Sequence, residues 1–199
     1  MKGKEKAYVL GITGNTGSGK SSVCGMLKEL GAQVLDADAM AKELQEPGQP
    51  GYRAILGAFG PDFLLEDGRL DRKKLAREVF SHEDSLKKLN GMIHPLVMDA
   101  IIGEISSHGG LVVLDVPLLF ETGMDRLCHE IWLVTAREEV RLARIMARDC
   151  LSPTEARMRM ANQREVDPGR VHRVLDNSGN LADLRAQVAG WYQTMIKEI

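Results

Sequence analysis

Cysteine is scarce: three in 199 residues, at Cys24, Cys128 and Cys150, far apart and in no Cys-x-x-Cys pattern. A scattered, odd set argues against a disulfide framework or a zinc site and fits a reducing compartment. Long apolar runs are missing too. No segment is long enough to span a bilayer, and no apolar stretch of the signal-peptide kind follows Met1-Lys2-Gly3-Lys4-Glu5-Lys6. A cytoplasmic protein without a membrane partner is therefore expected. Charge of one sign is also lacking. With 26 basic and 28 acidic residues, the formal charge of −2 leaves no basic footprint for a nucleic-acid duplex, so a small-molecule substrate is the better expectation. Internal repeats and low-complexity segments are absent.

What is present is enough core and a regular alternation. Hydrophobic residues make up 44% of the chain, sufficient for one α/β domain with an insertion. Apolar strand-like runs occur at Ala7–Ile12, Ala32–Asp36, Leu111–Leu114, Ile131–Val134 and Arg173–Leu175, separated by segments of helical period. That rhythm predicts a parallel five-stranded sheet covered by helices in three layers. Pro47, Gly48, Pro50 and Gly51 break the chain, and residues 52–107 are mostly helical. There, Asp71 is expected to cap a helix over Arg72–Phe80, Ser81 to cap the next, and His94-Pro95 to mark a helix junction. Residues 137–170 read as a helical hairpin whose second arm opens with a Ser152/Glu155 capping box, and residues 181–199 as a closing helix. The predicted division is a core of residues 7–46, 111–136 and 171–199, an insertion at about 47–110 and the hairpin.

The most specific local signal is Gly14-Asn15-Thr16-Gly17-Ser18-Gly19-Lys20-Ser21, which fits G-x-x-x-x-G-K-[ST] between an apolar strand and a helix. This is the P-loop arrangement, in which backbone N–H groups and a helix N-terminus converge on phosphate oxygens. Lys20 is predicted to reach the β- and γ-phosphates of a nucleoside triphosphate, and the Ser21 hydroxyl to ligate Mg²⁺. The Asn-Lys-x-Asp motif of guanine-nucleotide switches is missing, and Asp176–Gly179 comes too late to sense a γ-phosphate. A small-molecule phosphotransferase is favoured. Its carboxylates are expected at strand ends, where ligands of open α/β sheets lie. Asp36 and Asp38 end the second strand, Asp36 the better helix cap and Asp38 the better chemist. Asp115 ends the most apolar strand and needs a partner there. Arg141, Arg144 and Arg148 on one arm, with Arg157, Arg159 and Arg164 on the other, read as a lid closing over phosphates or, blandly, as a solvated charged face. His82, His108 and His129 read as ordinary polar positions, and Trp132 as core.

Taken together, several strings resemble the dephospho-CoA kinase family. They are Gly11–Gly14 into the P-loop, Asp36-Ala37-Asp38, Gly68–Arg72 with Val79-Phe80, Ile93–Val97, Asp115-Val116-Pro117-Leu118-Leu119-Phe120-Glu121 and Asp176–Gly179. The resemblance implies phosphorylation of the ribose 3′-hydroxyl of dephospho-CoA by Mg-ATP, with a CoA-binding insertion and a lid. It implies Asp38 as the residue accepting or orienting the hydroxyl proton. Lys20 and the loop through Gly14, Gly17, Ser18, Gly19, Ser21 and Ser22 would hold ATP. Arg144 or Arg148 would supply lid charge, and Asn177 would lie near adenine. Asp36, Arg72, His94, Asp115, Pro117, Leu118 and Glu121 would face the acceptor. The chain departs from the family pattern at Asn15-Thr16, where Gly-Ile is usual, at Arg141, where glutamine is usual, and at Val171-His172, where Ala-Asp is usual. The rivals are another small-molecule kinase and a regulator that holds ATP without transferring phosphate.

Overall fold

The computed structural model describes residues 6–161, 163 and 166–197. Two compact units emerge, one of Met1–Leu35 with His108–Ile199 and one of Asp36–Ser107. The second begins earlier than the expected insertion, at the end of a strand.

The first unit is built on the apolar runs. Strands β1 (Tyr8–Thr13), β2 (Gln33–Asp36), β3 (Leu111–Asp115), β4 (Glu130–Thr135) and β5 (Arg173–Asp176) form a five-stranded sheet in the order β2-β3-β1-β4-β5. β1 pairs in parallel with β3, Ile12 opposite Asp115, and with β4, while β4 pairs in parallel with β5. Helices α1 (Lys20–Glu29) and α8 (Leu181–Ile196) pack with Leu10, Ile12, Val23, Leu27, Trp132, Val134, Leu184 and Val188 into one buried cluster. Each such aliphatic side chain contributes about 1.5–3 kcal/mol by leaving water. Trp132 is fully buried, as expected, and meets Trp191 edge-on at 5.6 Å. Gly31 takes φ 98° just after α1, the left-handed turn that ends the helix.

The amino ends of the strands hold an unexpected device. Val9 N–H donates to His129 Nδ1 at 3.0 Å while His129 N–H donates to the Val9 carbonyl at 2.8 Å. His172 repeats the pattern on Ile131, at 3.0 and 2.9 Å. Each imidazole stands in for a backbone carbonyl, so His129 is more than an ordinary polar position.

The second unit consists of α2 (Ala37–Glu43), α3 (Pro50–Phe59), α4 (Arg72–Ser81) and α5 (Glu83–Ser107). α5 packs against the other three. Asp71 caps α4 by accepting from Lys74 N–H at 2.9 Å. Two expectations fail. Ser81 does not stand at the cap of the next helix; it is the last residue of α4, and His82 forms the junction, its carbonyl accepting from Leu86 N–H at 3.1 Å. Glu83 and Asp84 then supply the negative charge that a helix N-terminus favours. Nor do His94 and Pro95 end a helix: α5 runs through them. Proline inside a helix costs about 3 kcal/mol. The buried stripe Ile93, Val97 and Ile101 on either side offsets it.

Candidate nucleotide site

The phosphate loop leaves the carboxyl end of β1, the middle strand, and runs into α1. Its glycines are required by shape. Gly14, Gly17 and Gly19 have φ of 155°, 81° and 93°. A Cβ on Gly14 would strike the Val134 carbonyl, and one on Gly17 would lie 2.8 Å from the Arg141 carbonyl oxygen. Ser18 N–H donates to the Asn15 carbonyl at 3.0 Å, closing the turn. The Ser18 hydroxyl is buried with no partner among the described residues, as is that of Thr13 just before the loop. A buried donor without an acceptor is costly, and an anion seated in the loop would satisfy it. Ser21 and Ser22 lie exposed in the first turn of α1.

Lys20 Nζ donates to Asp115 Oδ1 across the ends of β1 and β3. This is the partner that a carboxylate ending an apolar strand demands. The pair is largely shielded, with 16% of the lysine side chain and 11% of the aspartate exposed. Beyond Asp115 the chain turns at once. Leu119 is buried, whereas Pro117, Leu118 and Glu121 are exposed, and Thr122 Oγ1 donates to the Leu118 carbonyl at 2.8 Å.

The hairpin of α6 (Glu138–Asp149) and α7 (Pro153–Ala161) lies on the loop. Arg144 donates to the carbonyls of Gly17 and Ser18, both at 3.3 Å, and to that of Asn177 at 3.0 Å. Asn177, at the end of β5, is buried and donates from its amide to the Ser18 carbonyl at 2.7 Å. Arg141 Nε donates to the Thr16 carbonyl at 3.1 Å. Gln163, beyond α7, accepts from Thr16 N–H at 2.8 Å and donates to the Thr16 hydroxyl at 2.6 Å. The arginines of α6 therefore grip the loop through its carbonyls, and Gln163 holds the N–H and hydroxyl of Thr16. Arg148 turns elsewhere, pairing with Asp149 at 2.8 Å, and Arg159 joins the same carboxylate at 2.8 Å. The Arg148 bond holds the Asp149 carboxyl below the usual aspartate range, against the smaller opposing effect of burial. The capping box is present, with Ser152 N–H and hydroxyl donating to Glu155 at 2.9 and 2.6 Å. Arg164 lies outside the described residues.

In the second unit, Asp36 accepts from Ala39 N–H at 3.0 Å and so caps α2. Asp38 is exposed in the first turn of that helix. Arg72 donates to the Lys42 carbonyl at 2.9 Å and pairs with Glu46 at 2.9 Å, tying α4 to the end of α2. His94 is exposed on α5. No group of three or more His, Cys, Asp or Glu able to hold a metal occurs among the described residues.

A model of the dephospho-CoA kinase family matches residues 8–183, most of the chain. The chain belongs to the dephospho-CoA kinase family. A dephospho-CoA kinase of Moorella thermoacetica is 40% identical, the match covering 96% of this chain and 94% of the relative. One of Symbiobacterium thermophilum is 43% identical over 92% of this chain and 80% of its own length. Among solved structures, that of TT1252 from Thermus thermophilus superposes with a TM-score of 0.78 at 39% identity, covering 95% of this chain and 98% of that one. As in other kinases, a nucleoside triphosphate is the phosphoryl source for the dephospho-CoA kinase family. The loop, with its orphan hydroxyl and its lysine, suits that ligand.

Sequence reasoning missed Thr16 and Gln163 as partners. Nothing in either residue's neighbourhood signals the other, since 147 positions of sequence separate them. The available clue was Asn15-Thr16 standing where the family pattern has Gly-Ile.

Proposed function

We propose that this chain transfers the γ-phosphoryl group of ATP to the ribose 3′-hydroxyl of dephospho-CoA, giving coenzyme A and ADP, the final step of coenzyme A synthesis. Family membership over residues 8–183 is the observation that carries the reading. Phosphoryl transfer asks the protein mainly to position groups and stabilise charge. The glycine loop and the α1 N-terminus hold the phosphates through N–H groups, and the Ser18 hydroxyl gains its acceptor there. Lys20 exchanges some of its bond to Asp115 for β- and γ-phosphate oxygens. Arg144 adds positive charge from the hairpin, which serves as the lid.

The Ser21 hydroxyl is an oxygen donor of the hard kind that Mg²⁺ selects, exposed beside Lys20, and it would hold that ion with waters and phosphate oxygens. When bound, Mg²⁺ neutralises charge on the transferring group. Asp38 receives or orients the 3′-hydroxyl proton. Its support is exposure together with the capping duty of Asp36, which leaves the second aspartate for chemistry. The helical unit Asp36–Ser107 and the segment Pro117–Glu121 serve the acceptor, Asn177 braces the loop on the nucleotide side, and scattered cysteines support a cytoplasmic setting.

The test measures ADP release from Mg-ATP with dephospho-CoA, beside adenosine, uridine and shikimate. Release with dephospho-CoA alone, with a product of coenzyme A mass, is expected. Turnover of a different acceptor would replace the substrate, and silence with all four would refute the kinase reading.

A further inference from the structure

The residue at the tip of the phosphate loop is held on every polar atom it has. Thr16 N–H donates to Gln163 Oε1 at 2.8 Å, its hydroxyl accepts from Gln163 Nε2 at 2.6 Å, and its carbonyl accepts from Arg141 Nε at 3.1 Å. A carboxamide offers one acceptor and one donor side by side, and Thr16 offers the complementary pair. Arg141 also reaches Gln163 Oε1 at 3.5 Å, joining the two holders to each other. Arg141 sits on α6, and Gln163 lies two residues beyond the end of α7.

These bonds fix two successive peptide planes. In the Asn15–Thr16 peptide the carbonyl accepts from Ser18 N–H at 3.0 Å and the N–H goes to Gln163. In the Thr16–Gly17 peptide the carbonyl goes to Arg141. A trans peptide is planar with its C=O and N–H on opposite sides, so an outward-tied Thr16 carbonyl sends the Gly17 N–H the other way. The same reasoning holds at Ser18, whose carbonyl accepts from Asn177 at 2.7 Å and Arg144 at 3.3 Å, so the Gly19 N–H is turned in the opposite direction. Left to itself, a loop with glycines at positions 14, 17 and 19 has wide backbone freedom, and a ligand must freeze it on binding.

We propose that Gln163 and Arg141 are positioning residues for the phosphate loop, acting through Thr16. The hairpin sets the loop's peptide planes before the triphosphate arrives, so that its amides already point at the anion. This rests on the reading of the loop as the ATP phosphate site. It assigns the hairpin a role beyond delivering positive charge, and it uses a hydroxyl that an apolar residue at position 16 cannot offer.

The experiment compares wild-type enzyme with Thr16→Val, Thr16→Ser and Gln163→Leu. It measures KM for ATP, KM for dephospho-CoA, kcat, and the nucleotide-free urea midpoint by tryptophan fluorescence. One neutral hydrogen bond is worth a factor of about 3–10 in an equilibrium constant. Thr16→Val is expected to raise KM for ATP roughly 3- to 10-fold, and Gln163→Leu, which removes two bonds, on the order of 10-fold or more. KM for dephospho-CoA and the urea midpoint should stay near wild type, and Thr16→Ser should restore KM for ATP. An unchanged KM for ATP would overturn the proposal. So would a lowered one, which would make Gln163 an obstruction in the loop. Equal rises in both KM values, together with a fallen urea midpoint, would reduce the contacts to general packing and overturn it as well. Should wild-type enzyme itself fail to bind ATP, the nucleotide reading fails, an outcome distinct from all of these.

Discussion

Replacing Asp115 with leucine, Lys20 with methionine, and then both together measures what the shielded ion pair does for the fold. Removing one partner of a buried pair typically costs about 3–5 kcal/mol, because the remaining charge is stranded away from water. Here 16% of the Lys20 side chain and 11% of the Asp115 side chain remain exposed, so a stranded group regains some hydration. The expected cost of either single change is therefore about 2–3 kcal/mol, below the fully buried range. For a chain of this size, that lowers the thermal midpoint by roughly 4–12 °C. The double variant places two apolar side chains together, and such a replacement of a buried pair is often neutral. Stability should return to within about 1 kcal/mol of wild type, a coupling energy of about 3 kcal/mol or more. Urea unfolding followed by tryptophan fluorescence is the right assay. The only two tryptophans, Trp132 and Trp191, pack together in the same unit as the pair, so the signal follows that unit. Additive costs, with coupling below about 0.5 kcal/mol, would show the bond to be incidental and refute the reasoning.

Other outcomes follow from single residues. Asp38→Asn should lower kcat on the order of 100-fold or more while leaving KM for ATP unchanged; a loss under about threefold would mean that Asp38 handles no proton. Gly14→Ala should cost about 2 kcal/mol or more, since its Cβ meets the Val134 backbone, and a urea midpoint equal to wild type would contradict that geometry. Burial, helped by Asp125, pushes the Cys128 thiol up to about 12, so at pH 7–9 it stays a thiol and should resist an aromatic disulfide reagent. Exposed Cys150 should react first, and equally fast release from a second native cysteine would count against this. The Asp149 carboxyl, held down by Arg148, should titrate below 3.8 by carbon NMR. Its stabilising effect is then complete above the unfolded value and lost only as pH falls through the lower folded one, so a midpoint at or above 3.8 refutes the pairing.

Much of the fold was readable because its signals are local. Leu111–Leu114 is apolar enough to be a buried strand wherever it is placed, and the Gly14–Ser21 spacing carries its own turn geometry. Asp71 and the Ser152/Glu155 pair cap their helices with groups three residues away, within reach of sequence reasoning. The failures are where distant packing overrides a local rule. Proline's bias against helix loses at Pro95 because buried residues continue the α5 stripe past it. Ser81 stays helical because its helix extends one residue further than its apolar pattern shows. At the site, the lysine, the glycines and Asp115 were legible by type, but the destinations of Arg144 and Arg141 were not. Their acceptors are backbone carbonyls, which every residue has and no sequence displays. Arg148 looked equivalent to Arg144 by spacing, yet the adjacent Asp149 claims it.

The interruption of the sheet unit by a contiguous helical one has a consequence for the order of events during synthesis. β1 is the centre of the sheet, yet its neighbours are β3, with Tyr8 opposite Leu111, and β4. Residues 36–107 emerge from the ribosome as a complete helical unit before either neighbour exists. Throughout that interval Tyr8–Thr13, an apolar strand destined for burial from Val9 onward, has no edge to join. Local helical contacts form quickly and pairings distant in sequence form slowly, so the helical unit matures first. The nascent chain thus carries an apolar strand without its sheet partners for about half of its translation, an interval in which that segment is open to chaperones or to aggregation.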